Sequence, residues 1–256
     1  MPVKLQGVSF PVVVSVFGLS IPGHFLFEVL AYTSGFWLYR RLRRRHGDFL
    51  PDSRRATMLV AVVLGAAAGS KLLHHASHPG WLSAHWQDPR FLLGGKTIVG
   101  ALLGGLVAVE WMKKRVGIRR ATGDLYALPL CLGIALGRIG CFVDGLRDRT
   151  FGTPTELSWG IDLGDGVARH PVALYEIGFV AALGCFLTIR PPGGEGAQFR
   201  TFLTAYLAFR FFVDFLKPYE TMAGLGAIQW ACLAGVAWYA FVAGRGRIAQ
   251  PRASHV

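Results

Sequence analysis

The sequence predicts an all-α membrane protein with seven transmembrane helices and a small extracytoplasmic head, its N-terminus outside and its C-terminus cytoplasmic. Three observations predict it. Of 256 residues, 52% are hydrophobic and only 16% charged, with a mean hydropathy of +0.41, too apolar for an ordinary soluble domain. Seven apolar stretches approach the ~20 residues that a helix needs to cross ~30 Å of hydrocarbon. Basic residues alternate between connections, seventeen on one side and six on the other. The Lys- and Arg-rich side stays in the cytoplasm, which sets the orientation. The net charge of +12 is therefore a topology signal, and no nucleic-acid partner is expected.

The elements follow in order. Residues 12–21 are β-branched and interrupted by Gly18, the pattern of a small outer hairpin. The apolar stretches run over 22–39, 57–73, 91–112, 125–143, 171–189, 199–216 and 224–243. Arg40, Arg41, Arg43, Arg44, Arg45, Arg54 and Arg55 follow the first, and Lys113, Lys114, Arg115, Arg119 and Arg120 the third. Arg190, Arg200, Arg245, Arg247 and Arg252 complete the inner set, opposite Lys4, Arg90, Arg147, Arg149, Arg169 and Lys217. The outer connection 144–170 holds five glycines and Pro154, with a turn at 164–166 and strand-like alternation over 157–162. It is long enough to recruit substrate or act as a lid. No repeat or linker divides the chain, so 1–256 is read as one polytopic membrane domain with 144–170 as its head element.

A charge in hydrocarbon is costly unless it is paired or faces a polar cavity. Yet His24, Glu28, Lys71, Lys96, Arg138, His170, Glu176, Arg210 and Asp214 all fall toward the outer ends of their stretches. Glu110 is the exception, beside the inner basic cluster, where a solvated pair suffices. The pattern points to a polar site that faces the outer leaflet and handles an anion. Snorkelling to the headgroups is the alternative; it suits Lys71 and Lys96 better than Arg138 and Arg210, which lie deeper. Tyr206, Arg210 and Asp214 are four residues apart and stack on one helix face, as a site or as a structural ion pair. Arg138 lies between Gly137 and Gly140, small residues that admit close approach or simply serve helix packing. Arginine suits the task because its planar fork matches phosphate bidentately. Cys131, Cys141, Cys185 and Cys232 lack metal-ligand spacing, so neither metal nor cofactor nor disulfide framework is expected.

Four motifs then carry a resemblance. Gly137-Arg-Ile-Gly-Cys-Phe-Val-Asp-Gly145, His170-Pro-Val-Ala-Leu-Tyr-Glu176, the Tyr206–Arg210–Asp214 ladder and the 94–104 Gly-Gly-Lys-Thr-Ile-Val-Gly stretch resemble, in family order, the signatures of bacterial prolipoprotein diacylglyceryl transferases. The resemblance implies a multi-pass protein of the bacterial cytoplasmic (inner) membrane, its active site toward the periplasm. The implied reaction moves a diacylglyceryl group from phosphatidylglycerol, a membrane lipid, to the lipobox cysteine thiol of a preprolipoprotein, releasing glycerol phosphate. The family's two essential arginines map onto Arg138 and Arg210. Lys96, Gly137, Gly140, Gly145, Tyr175, Glu176 and Asp214 fall at substrate-binding positions.

Departures matter equally. The family histidine of the 94–104 stretch is Val99; asparagines become Cys141 and Asp144; a glutamate becomes Leu146, a glutamine Ala173, and the last glutamate shortens to Asp214. Another group must then take the thiol proton: His24, His170 or Asp144, with Tyr206 assisting. The alternatives are a related lipid-phosphate transferase with a different acceptor, or a non-catalytic protein that binds or moves anionic lipid.

Overall fold

The structure, a computed structural model, describes residues 10–16, 18–190 and 193–248. Lys4 and Arg252, counted in the charge asymmetry, lie outside them. Helices dominate. They are α1 (Gly23–His46), α2 (Asp52–Ala76), the short α3 (Pro79–His85) and α4 (Pro89–Leu93), α5 (Ile98–Val116), α6 (Asp124–Asp144), α7 (Val172–Ile189), α8 (Ala197–Val213) and α9 (Ala227–Ile248). Two-stranded antiparallel ribbons β1–β2 (Val13–Val16, Leu19–Pro22), β3–β4 (Ile161–Asp162, Ala168–Arg169) and β5–β6 (Thr221–Met222, Leu225–Gly226) join them. By length and composition, Asp52–Ala76, Asp124–Asp148 and Val172–Ile189 can cross a membrane; the apolar Ala227–Phe241 is shorter.

Two compact units are built from these elements. One comprises 1–49, 120–202 and 215–218; the other 50–119, 203–214 and 219–256. In the first, α1 packs against α6, and α6 against α7. Gly140 permits the α1–α6 contact, since a Cβ there would come 3.1 Å from the Phe27 Cβ and 3.2 Å from the His24 carbonyl oxygen. Tyr39 stacks on Tyr126 with ring centroids 4.9 Å apart. Asp124 opens α6, and its carboxylate accepts the Gly196 and Phe199 N–H groups (2.6 and 3.0 Å), capping α8 from a different helix.

In the second unit, α2 packs against α5. A small core of Leu50, Met58 and Ile118, with Val109, Met112 and Val116, closes the start of α2 and the end of α5. Gly117, at φ 72°, ends α5 in the left-handed region, its N–H donating to Lys113 O, with Lys113, Lys114 and Arg115 in the last turn. Glu110 pairs with Lys113 at 2.9 Å, and Lys113 is buried, so the expected solvated pair is half sheltered. Arg55, counted as a topology charge, is also buried, donating to Leu50 O and pairing with Asp52.

A hairpin lies where residues 12–21 predict one, with Val13 paired to Pro22. The strand expected over 157–162 shrinks to Ile161–Asp162, because residues 157–160 turn, Gly160 N–H donating to Leu157 O. The Asp162 carboxylate gathers the Gly164 and Gly166 N–H groups, both at 2.9 Å, and both glycines have positive φ. Asp165 then clasps Arg169 at 2.6 Å, which holds its carboxyl below the ordinary value of 3.8. A lowered carboxyl pKa means that the clasp operates above that value and is lost as pH falls through the folded-state value.

The apolar stretch 91–112 is not one helix. Residues 94–97 are a loop, with Gly95 at φ 62°, and α5 starts only at Ile98. Apolarity alone does not separate a short helix such as α4 from the first turn of a span. Lys71 does not snorkel either. Its ammonium donates to the carbonyls of Leu93, Gly94 (2.9 Å) and Gly95 (2.7 Å), pinning that loop from α2.

Candidate functional site

In the first unit the C-terminal end of α6 carries the charge. Arg138 and Glu176 are both buried, and Arg138 Nε lies 2.9 Å from Glu176 Oε2. A carboxylate at that distance fixes the plane of the guanidinium and offsets the cost of burying it. Arg138 Nη1 also donates to Cys141 Sγ one turn on, at 3.6 Å. Of the flanking glycines, only Gly140 serves close packing; a Cβ at Gly137 would meet nothing within 4 Å. Gly145 caps α6 at φ 63° and packs so closely on Phe10 that a Cβ would lie 2.8 Å from the Phe10 Cβ. Its role here is a turn. Asp144 closes α6, and none of the described residues hydrogen-bonds its side chain.

The head loop is tied to α7 by a polar chain. Trp159 Nε1 donates to the Tyr175 hydroxyl at 2.8 Å, and His170 Nδ1 is 3.4 Å from the same oxygen. His170 N–H donates to Thr153 O, and Thr153 N–H to Leu216 O. A small cleft here is lined by Cys141, Phe142, Gly145, Phe151, Arg169 and His170. His24, in the first turn of α1, faces two acids. Its Nδ1 lies 3.7 Å from Asp148 Oδ1 and its Nε2 4.0 Å from Glu28 Oε2.

In the second unit Tyr206, Arg210 and Asp214 are all buried, and Arg210 Nη2 donates to Asp214 Oδ1 at 2.6 Å. Of the expected ladder, Arg210 and Asp214 pair one turn apart, Asp214 lying in the 3-10 turn Asp214–Leu216 that follows α8. Lys96 lies in the 94–97 loop, ahead of the helix in which its position predicted it, and is exposed. Val99, in the first turn of α5, is fully enclosed, with 1% of its surface exposed.

The model of the family described as prolipoprotein diacylglyceryl transferase matches residues 11–244. The chain belongs to that family. Among its relatives is the phosphatidylglycerol–prolipoprotein diacylglyceryl transferase of Geobacter sulfurreducens, 30% identical over 215 residues, covering 78% of this chain and 79% of the relative. Proteins of the same name from Bordetella bronchiseptica (31% over 245 residues; 84% and 89% covered) and Nitratidesulfovibrio vulgaris (30% over 243; 88% and 87%) match similarly. For a diacylglyceryl transferase family member, two features stand out. Arg138 and Arg210 sit buried against carboxylates, and Val99, where the motif resemblance puts the family histidine, is enclosed. Sequence reasoning missed Asp148, Thr150 and Trp159. Asp148 reaches His24 only because Gly145 turns α6 into a 3-10 segment over Gly145–Asp148, which no periodicity announces.

Proposed function

We propose that this chain transfers a diacylglyceryl group from phosphatidylglycerol to the lipobox cysteine of preprolipoproteins and releases glycerol phosphate. The family match over residues 11–244 is the observation that carries the reading. In this reading the 1–256 chain is one polytopic domain of seven spans in the bacterial inner membrane. Its N-terminus and 144–170 head lie on the periplasmic side, as the basic residues of the inner connections demand. Arg40 over Phe36 (5.8 Å), Arg41 over Trp37 (5.5 Å) and Arg115 over Trp111 (4.9 Å) support that placement, since such pairs sit well at a headgroup boundary.

The chemistry needs a thiolate sulfur to attack the glycerol carbon that bears the phosphate. A C–S bond forms, the C–O bond breaks, and the electron pair leaves on the phosphate oxygen. Arg138 and Arg210 are assigned to the phosphodiester, where fixed cations offset the charge that grows on the leaving group. The support is local to each: a buried guanidinium oriented by Glu176 in one case and by Asp214 in the other. Tyr206, His170, Asp144 and His24 are the candidates for proton handling. Lys96, Gly137 and Tyr175 are assigned to substrate binding, with Gly140 and Gly145 contributing to the same site by shaping the backbone that carries it.

The test combines purified protein in detergent with phosphatidylglycerol and a lipobox peptide. Lipidated peptide and glycerol phosphate are expected, both lost when the peptide cysteine becomes serine. Turnover that ignores the peptide would favour the second reading, a lipid-phosphate transferase with another acceptor, to which Val99 points. Arg43→Ala removes an inner topology charge and its 3.8 Å pair with Asp48, remote from the assigned site residues, and is expected to keep turnover within about twofold of the parent. A severe defect in correctly inserted protein would contradict that role.

A further inference from the structure

Two stretches of chain far apart in sequence bring a nitrogen, a sulfur and a carboxylate together. His24 opens α1, Cys141 lies in the last turn of α6, and Asp148 ends the 3-10 segment after it. One ligand atom from each lies within 4.8 Å of the other two. His24 Nδ1 is buried without a hydrogen-bond partner, and it is the ring nitrogen that faces Asp148 Oδ1, 3.7 Å away. That is an orphaned lone pair, or an orphaned N–H, pointed toward a carboxylate with a thiol beside it.

The surroundings match what a metal centre requires around its ligands. The Thr150 hydroxyl donates to Asp148 Oδ2, leaving Oδ1 toward His24. The other His24 nitrogen, Nε2, has the Glu28 carboxylate 4.0 Å away, and Glu28 accepts from the Tyr32 hydroxyl. A ligating histidine commonly gives its second N–H to a carboxylate, which fixes tautomer and ring orientation. Ligand atoms around a tetrahedral zinc ion with bonds of ~2.0–2.3 Å lie roughly 3.3–3.8 Å apart, so side-chain shifts below about 1 Å would close this set. One nitrogen, one thiolate and one carboxylate suit zinc rather than magnesium or calcium, which take oxygen ligands.

We propose that His24, Cys141 and Asp148 form a zinc site whose fourth position is open to a thiol. The role rests on the transferase reading above. Zinc with three protein ligands keeps an exchangeable position, and a thiol that coordinates there is deprotonated. The lipobox thiol would lose its proton to water and bind as thiolate. Its sulfur would then attack the lipid carbon as the C–O bond to phosphate breaks. Such a site would replace the base missing at Val99.

The test needs neither lipid nor peptide. Full-length protein in detergent is stripped with a chelator and reloaded with zinc sulfate alone, then with cobalt(II). One zinc ion per chain is expected, together with a near-ultraviolet cobalt–thiolate absorption. Cys141→Ala should abolish that absorption. Asp148→Ala should keep it but weaken metal affinity roughly 100-fold, and Glu28→Gln about 10-fold. Substoichiometric zinc in the unsubstituted protein, or a cobalt spectrum without the thiolate band, overturns the site. These readouts stand even if the chain lipidates nothing. A stripped protein that lipidates the peptide at full rate would remove the activating role and leave the transferase reading intact.

Discussion

Arg138→Lys is expected to lower turnover at least ~100-fold while the protein stays folded. The lysine is chosen because alanine would mislead. Removing the cation strands the buried Glu176 carboxylate, and breaking a buried pair costs about 3–5 kcal/mol of stability, enough to unfold the protein for reasons unrelated to chemistry. Lysine keeps a positive charge beside Glu176. It loses the planar fork that can hold a phosphodiester while remaining paired to a carboxylate. Loss of one donor aimed at a developing anion costs about 2.7–4 kcal/mol of barrier, which is 10²–10³ in rate. Arg210→Lys should behave alike, with Asp214 as the partner that keeps the fold. The measurement is kcat with lipobox peptide at saturating phosphatidylglycerol, beside a thermal melt. A melt unchanged to within a few degrees and a rate within threefold of the parent would remove Arg138 from the phosphate-binding role.

The parts of this site that were legible in the sequence are those carried by local spacing. Tyr206, Arg210 and Asp214 are expected on one face because a helix repeats every 3.6 residues, and the structure buries all three and pairs Arg210 with Asp214. Glu176 and Tyr175 were legible as a motif that opens a helix after Pro171. What was not legible depends on chain reversals. Asp148 returns to His24 through a turn set by Gly145, and the Lys71 ammonium reaches back to carbonyls more than twenty residues ahead. The break at 94–97 was hidden because a Gly-Gly pair inside an apolar run barely lowers its hydropathy. Gly137 and Gly140 look equivalent in sequence, yet only Gly140 meets a neighbouring helix. Composition says that close approach is possible; only the packing says where it occurs.

Gly104→Leu is expected to destabilise the second unit without touching the buried charges. Gly65 and Gly69 in α2, and Gly100 and Gly104 in α5, are each four residues apart. They meet in reverse order, Gly65 against Gly104 and Gly69 against Gly100, so the two helices run antiparallel and touch backbone to backbone. A Cβ built on any of the four would collide with a facing carbonyl oxygen, and one on Gly69 would also lie 2.8 Å from the Gly104 Cα. A carbonyl inside a helix cannot swing away as the end of a flexible side chain can. The helices must therefore separate along this seam, losing the dispersion contacts that join helices where burial from water gives no drive. Overpacking a tight core costs about 1–3 kcal/mol and sometimes more. At roughly 2–4 °C per kcal/mol for a chain of this size, the melting midpoint should fall by about 10 °C. Gly178→Ala, on α7 where a Cβ meets nothing within 4 Å, supplies the control and should leave the midpoint unchanged or slightly raised. Melting followed by fluorescence-detected size exclusion reads both. If Gly104→Leu melts with the parent, the glycine seam between α2 and α5 is not what holds the second unit together.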